Sequence, residues 1–181
     1  MHYLIVPGYS NSGPTHWQTY WTKSLPDASR VYQHSWDHPL KADWVSALDE
    51  TVAGLKTDTI LVSHSLGVVT TVHWLLEKAA KGGVPGNVKA VFLVAPADVD
   101  KLDLAKDFAP VPLQKLPVPS YVVASENDIY VSIERARQFA DAWGSMFVDV
   151  GCLGHINADS NLGEWEQGRK ILAEFEKTLG L

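Results

Sequence analysis

The stretch VSHSLG, residues 62–67, decides the reading of this chain, because it sets Ser65 between a strand pattern and a helix pattern. Ahead of it, Thr59-Ile60-Leu61-Val62 is a short β-branched and apolar run of the kind that makes a strand buried on both faces. Behind it, Val68, Val69, Val72, Leu75, Leu76 and Ala79 recur at three- and four-residue spacing. Lys78 and Lys81 fall in the last turn and Gly82-Gly83 follows, which reads as a helix with a glycine stop. A serine on a sharp strand-to-helix turn, as in G-x-S-x-G, needs small residues two before and two after it. Ser63 and Gly67 meet that demand, although Ser63 stands where glycine is commonest. Such a turn aims the free N–H groups and positive end of the helix at charge developing near the serine.

Working outward, strand-like runs recur at residues 2–6, 31–34, 59–63, 90–95, 119–124 and 146–150. Helical patterns fill 14–24, 42–55, 65–81, 132–143 and 161–179. Strands alternating with helices predict an α/β fold, a three-layer α/β/α sandwich around a mostly parallel six-stranded sheet. Trp44, Val45, Leu48, Val52 and Leu55 make one core-facing stripe; Leu162, Trp165, Leu172, Phe175 and Leu179 make another. The segment from Ala97 to Pro119 breaks the alternation and reads as a loop with a short helix or as a rudimentary lid. It leaves the carboxyl end of a strand, the side on which open α/β sheets bind ligands.

A nucleophilic serine needs a base, and the base needs a carboxylate to fix its tautomer. In hydrolases of this architecture the order is serine, acid, histidine, and the chain offers all three after strand ends. Asp128 follows the 119–124 run and His155 lies on the glycine-containing loop after 146–150. Glu126 competes for the acid role, but Asp128 sits farther round the loop. Of the other histidines, His2, His34, His38 and His73 read as structural. His64 adjoins Ser65, where an elbow neighbour points away from the hydroxyl. Cys152 and His155 spell C-x-x-H, yet a zinc site needs three or four ligands and no second pair exists. The oxyanion donors expected are the N–H of Leu66 and, after Gly8 in the first loop, the N–H of Tyr9. His16 and Trp17 either pack at the start of the first helix or line a small acyl pocket. With Phe108 of the 97–119 segment they are the substrate-binding candidates.

At 181 residues and 46% hydrophobic content, the chain predicts one domain over 1–181. A net charge of −6 without basic clusters points away from nucleic acid and from anionic membranes. No apolar run approaches a membrane span, the first strand pattern starts at the initiator methionine, and Cys152 is the single cysteine; these predict a cytoplasmic protein. A small acyl substrate is the partner expected, a protein partner is not indicated, and no metal or organic cofactor is required.

Taken in order, PGYSNSGPTHWQTYW, QHSWDHP, VSHSLG, LVAPADVD, VVASENDIYVS and GHINADSNLGEWEQG resemble the small serine hydrolase family of YdeN and retinoblastoma-binding protein nine. The resemblance spans nearly the whole chain. It implies a minimal α/β-hydrolase fold without a full cap domain, activity on model esters, and a triad carried onto Ser65, Asp128 and His155. Ser63, Ile129 and Glu166-Gln167 depart from the family's usual residues. The expected chemistry is hydrolysis of carboxylic esters, with thioesters or small amides as further substrates. A protein-binding module on the same fold, and an acyl transferase or peroxide-using enzyme on the same scaffold, are the competing readings.

Overall fold

The computed structural model describes residues 1–181, and its frame is one sheet in which every strand pair is parallel. The strands are β1 (His2–Val6), β2 (Ala28–Arg30), β3 (Thr59–His64), β4 (Val88–Val94), β5 (Ser120–Ala124) and β6 (Met146–Asp149), in the order β2-β1-β3-β4-β5-β6. The helices are α1 (Trp17–Ser24), α2 (Lys41–Gly54), α3 (Leu66–Ala80), α4 (Ile133–Trp143) and α5 (Glu166–Leu179). β3 is buried at every residue, as its unbroken apolar run requires of a central parallel strand.

Two cores lie on the two faces of the sheet. One joins α2, α3 and α4 to Leu4, Leu61, Val91 and Val122. The other packs Trp17 and Trp21 of α1 and Leu172 and Phe175 of α5 on Ile5, Ile60, Phe92 and Val123. Alternate residues of β1, β3, β4 and β5 therefore feed opposite cores. β1 and β3 are neighbours, but the chain leaves β1 toward β2 on one side and continues from β3 toward β4 on the other. Their carboxyl ends thus flank the crevice where open α/β sheets hold ligands.

The second strand differs from expectation. It covers 28–30 rather than 31–34, with Tyr3 opposite Ala28 and Ile5 opposite Arg30. An edge strand needs little apolar surface, so the Ala-Ser-Arg segment carries no hydrophobic signal. Val31 donates to the Ile5 carbonyl at 2.9 Å, where the pairing ends. Two helices also start later than expected. His16 caps α1, and α5 begins at Glu166 because Gly163 and Trp165 take positive φ values of 54° and 43°. The indole of Trp165 then lies so close that a Cβ on Gly168 would stand 2.2 Å from it, which explains the glycine one turn into α5.

The 97–119 segment forms two short 3-10 turns, Val99–Lys101 and Asp103–Phe108, and no separate cap domain. Arg135 of α4 ties it down, donating to Asp98 at 3.2 Å and to Asp100 at 2.5 Å. No helix is long and apolar enough to cross a membrane.

Candidate active site

Ser65 has φ 55° and ψ −123°, a conformation costly for a residue with a Cβ and characteristic of a nucleophile held at a strained turn. The turn is possible because its flanks are small. A Cβ on Gly67 would lie 2.4 Å from the Val6 carbonyl oxygen and 2.5 Å from that of Pro7. Ser63, two residues before Ser65, is fully buried, and its hydroxyl lies 2.8 Å from that of Thr71 on α3. The off-pattern serine thus binds the strand to the following helix, which a glycine there would not do.

The three residues brought together by the loops after β3, β5 and β6 form one continuous chain. Nε2 of His155 lies 2.8 Å from Ser65 Oγ, and its Nδ1 lies 2.7 Å from Asp128 Oδ2. A carboxylate only accepts, so Nδ1 carries the proton and Nε2 is left to accept from the serine hydroxyl. The other Asp128 oxygen accepts the Tyr130 N–H at 2.8 Å, which fixes the carboxylate's orientation. Glu126 is excluded from this arrangement: its carboxylate accepts from the Cys152 thiol at 3.4 Å, and that contact pushes the thiol pKa up. Cys152 is exposed and no cluster of His, Cys, Asp and Glu side chains suited to a metal ion forms.

Gly8 and Leu66 meet beside Ser65. A Cβ on Gly8 would stand 2.8 Å from Ser65 Cβ and 3.2 Å from the Leu66 nitrogen. The Tyr9 and Leu66 N–H groups, one just after Gly8 and one at the start of α3, have no acceptor within the chain. Both residues line a cavity of about 360 Å³ that opens on Ser65 and His155. Ala97, Leu102, Leu104 and Ala105 make its apolar wall, while Ser10, Asn11, His16 and Asn157 make a polar one.

His16 lines this cavity, but Trp17 and Phe108 do not. Both aromatics are fully buried, which corrects their assignment as substrate-binding residues. The Trp17 ring meets Trp21 edge-on and Trp165 at a tilt, and its indole N–H donates to the Ile156 carbonyl at 2.7 Å, so it holds the histidine loop from behind. Phe108 turns inward onto Trp44 and His73. An aromatic on a short 3-10 turn has only the core in which to bury its ring.

Several positioning residues lie within the family-like stretches, but their partners are not readable from the sequence. Gln18, fully buried, donates to the Val6 and Val62 carbonyls and accepts from Ser12, so it locks together the ends of β1 and β3. Ser125 accepts from the Leu153 N–H and Asn127 from the Gly154 N–H, stitching the acid loop to the histidine loop. Nε2 of His64 donates to the His155 carbonyl at 2.9 Å, and Tyr130 packs edge-on to the His155 ring. A buried polar side chain is found from sequence only when its partner is known, and these partners lie 6 to 91 residues away on other elements and loops.

Comparison with known proteins places this geometry. The family model described as serine hydrolase matches residues 3–174. The fold is similar to that of a YdeN-like hydrolase of Pectobacterium atrosepticum, 34% identical over 98% of this chain and 91% of that one, with a TM-score of 0.86. It is similar also to the ydeN product of B. subtilis, at 19% identity, 97% and 98% coverage and a TM-score of 0.81. Est1E of Butyrivibrio proteoclasticus, solved with ferulic acid, shares the fold at 14% identity, 96% and 88% coverage and a TM-score of 0.71. Among curated proteins none matches the sequence. A family match over nearly the full length, around a serine on a strained elbow, leads to one conclusion: the chain belongs to the serine hydrolase family, among its small YdeN-like members.

Proposed function

We propose that the protein hydrolyses carboxylic esters of small acyl groups through a Ser65–His155–Asp128 triad and an acyl-enzyme. The observation that carries this reading is the unbroken hydrogen-bond chain from Ser65 Oγ through His155 to Asp128, opening on a cavity beside two unpartnered backbone N–H groups.

His155 Nε2 takes the Ser65 proton as Oγ attacks the acyl carbon, and the carbonyl electrons move onto the oxygen. The Tyr9 and Leu66 N–H groups stabilise that oxyanion, supported by the positive end of α3. His155 then protonates the departing alcohol. A water that gives its proton to the same nitrogen attacks the acyl-enzyme, and His155 returns that proton to Ser65 Oγ as the acid leaves. Asp128 stays ionised throughout and stabilises the imidazolium. Thioesters fit the same steps. The free, exposed Cys152 suits a reducing cytoplasm.

A panel of short acyl esters and thioesters tests the reading. Wild-type protein is expected to turn over esters, Asp128→Asn to lose about 10⁴-fold in kcat, and Glu126→Gln to keep activity within about twofold. Equal losses in the two carboxylate variants would reject Asp128 as the acid partner.

A further inference from the structure

His16 spends only one of its two ring nitrogens on the fold. Nδ1 accepts the Gln18 N–H at 3.1 Å and caps α1. A backbone amide can only donate, so Nδ1 holds a lone pair and the proton of the neutral ring sits on Nε2. That Nε2 has no partner within the chain, is not among the polar atoms sealed from solvent, and belongs to a residue lining the cavity beside Ser65 and His155. Contacts with the rings of His64 at 4.8 Å and Trp17 at 5.5 Å hold the imidazole in place. Burial first, then the charges of Arg30 and His155, keep the ring neutral, with its pKa lowered to about 3.

The rest of the cavity wall agrees in charge. None of its lining residues is Asp, Glu, Lys or Arg. Arg30 is nearby, but it is engaged with Asn11, the Ser12 carbonyl and Thr19. An ionised group entering here would lose its hydration without meeting a counter-charge, whereas an uncharged oxygen would meet a fixed N–H donor.

We propose that His16 is a specificity-determining residue whose Nε2–H receives an ether, hydroxyl or carbonyl oxygen of an uncharged ester, on the side of the scissile bond that faces the loop between β1 and α1. The proposal rests on the hydrolase reading above. A substrate lacking that oxygen leaves the donor unpaired, and discrimination of roughly 3- to 10-fold follows from one neutral hydrogen bond.

Two isosteric pairs test it, in which an oxygen replaces a methylene: aryl methoxyacetate against aryl butyrate on the acyl side, and 2-methoxyethyl acetate against butyl acetate on the alcohol side. Within a pair, the ratio of kcat/KM for a variant relative to wild type cancels intrinsic reactivity and any general loss of folded enzyme. Asn at position 16 keeps an oxygen near the capping Nδ1 but loses the distal donor; Gln keeps an amide near Nε2 but gives up the cap. In His16→Asn the preference for the oxygen-bearing member of one pair is expected to fall roughly 3- to 10-fold with the melting temperature retained. In His16→Gln the preference is expected to survive at a lower melting temperature. Unchanged ratios in both pairs for His16→Asn overturn the assignment of His16. A wild-type protein that turns over none of the four esters overturns the hydrolase reading and this inference with it.

Discussion

Gly8 lies against Ser65 so closely that a Cβ at residue 8 would stand 2.8 Å from the Ser65 Cβ and 3.0 Å from the His64 carbonyl oxygen. Gly8 is not among the residues with positive φ, so it is the space, not the backbone conformation, that requires glycine here. Gly8→Ala must push the first loop away from the elbow and carry the Tyr9 N–H with it. The expected result is a fall in kcat of roughly 10²- to 10³-fold, the cost of one misplaced oxyanion donor, with KM much less affected. Steady-state kinetics on a short ester checks this, with circular dichroism to verify the fold. A kcat equal to wild type would remove Tyr9 from the oxyanion hole.

Burial decides which aromatic and apolar side chains touch substrate. Phe108 has no exposed surface and packs on Trp44 and His73, whereas Leu104 lines the cavity and is half-exposed. Phe108→Ala is expected to cost about 3–5 kcal/mol of stability and to leave the acyl chain-length profile as it was. Leu104→Ala is expected to cost less than about 1 kcal/mol and to shift that profile toward longer chains. Urea denaturation paired with a C2-to-C8 ester series (about that range of chain lengths, to span a pocket of ordinary ligand size) separates the two. The opposite pattern would return Phe108 to the pocket.

Two buried histidines, His16 and His64, make the fold less stable on the acid side. Burial lowers the His16 pKa from the ordinary 6.5 to about 3, and burial likewise holds that of His64 well below 6.5, with His16 and His155 adding to it. Well above pH 6.5 both residues are neutral in either state. As the pH falls from 6.5 toward 3, the unfolded chain gains a proton at His16 that the folded chain does not accept. Stability therefore declines with falling pH, by on the order of 1.4 kcal/mol per pH unit for such a group. His64 acts in the same direction. Urea midpoints measured between pH 7 and pH 5 are expected to fall, and the His16→Asn protein should show the shallower slope. Parallel slopes would mean that His16 is not held neutral.

The sheet, its parallel strands and the meeting of Ser65, Asp128 and His155 in one hydrogen-bonded chain are legible because each rests on a local pattern: an apolar run, a helical period, or a polar residue just past a strand end. β2 was misplaced because an edge strand of Ala-Ser-Arg is specified by pairing with β1, not by its own hydrophobicity. Proximity in sequence to strand-end loops makes Trp17 and Phe108 pocket candidates but does not say which way a ring turns. Here each ring buries in one of the two cores behind the site. Gln18 and His64 lie in family-like stretches, yet no local pattern says what they bond, since their work is to satisfy carbonyls on other elements. The HWQ segment is explained only in three dimensions: a cap and cavity donor at His16, a core indole at Trp17, and a clamp across β1 and β3 at Gln18.

The proposed role of Ser65 as nucleophile rests on its hydroxyl lying 2.8 Å from His155 Nε2. Intact-protein mass after treatment with a fluorophosphonate measures it most directly. One adduct per chain, mapped by peptide fragmentation to Ser65 and absent from Ser65→Ala, is the result predicted, together with a loss of roughly 10⁶-fold in kcat in that variant. An unlabelled wild-type protein, or an adduct and full turnover that persist in Ser65→Ala, would contradict it.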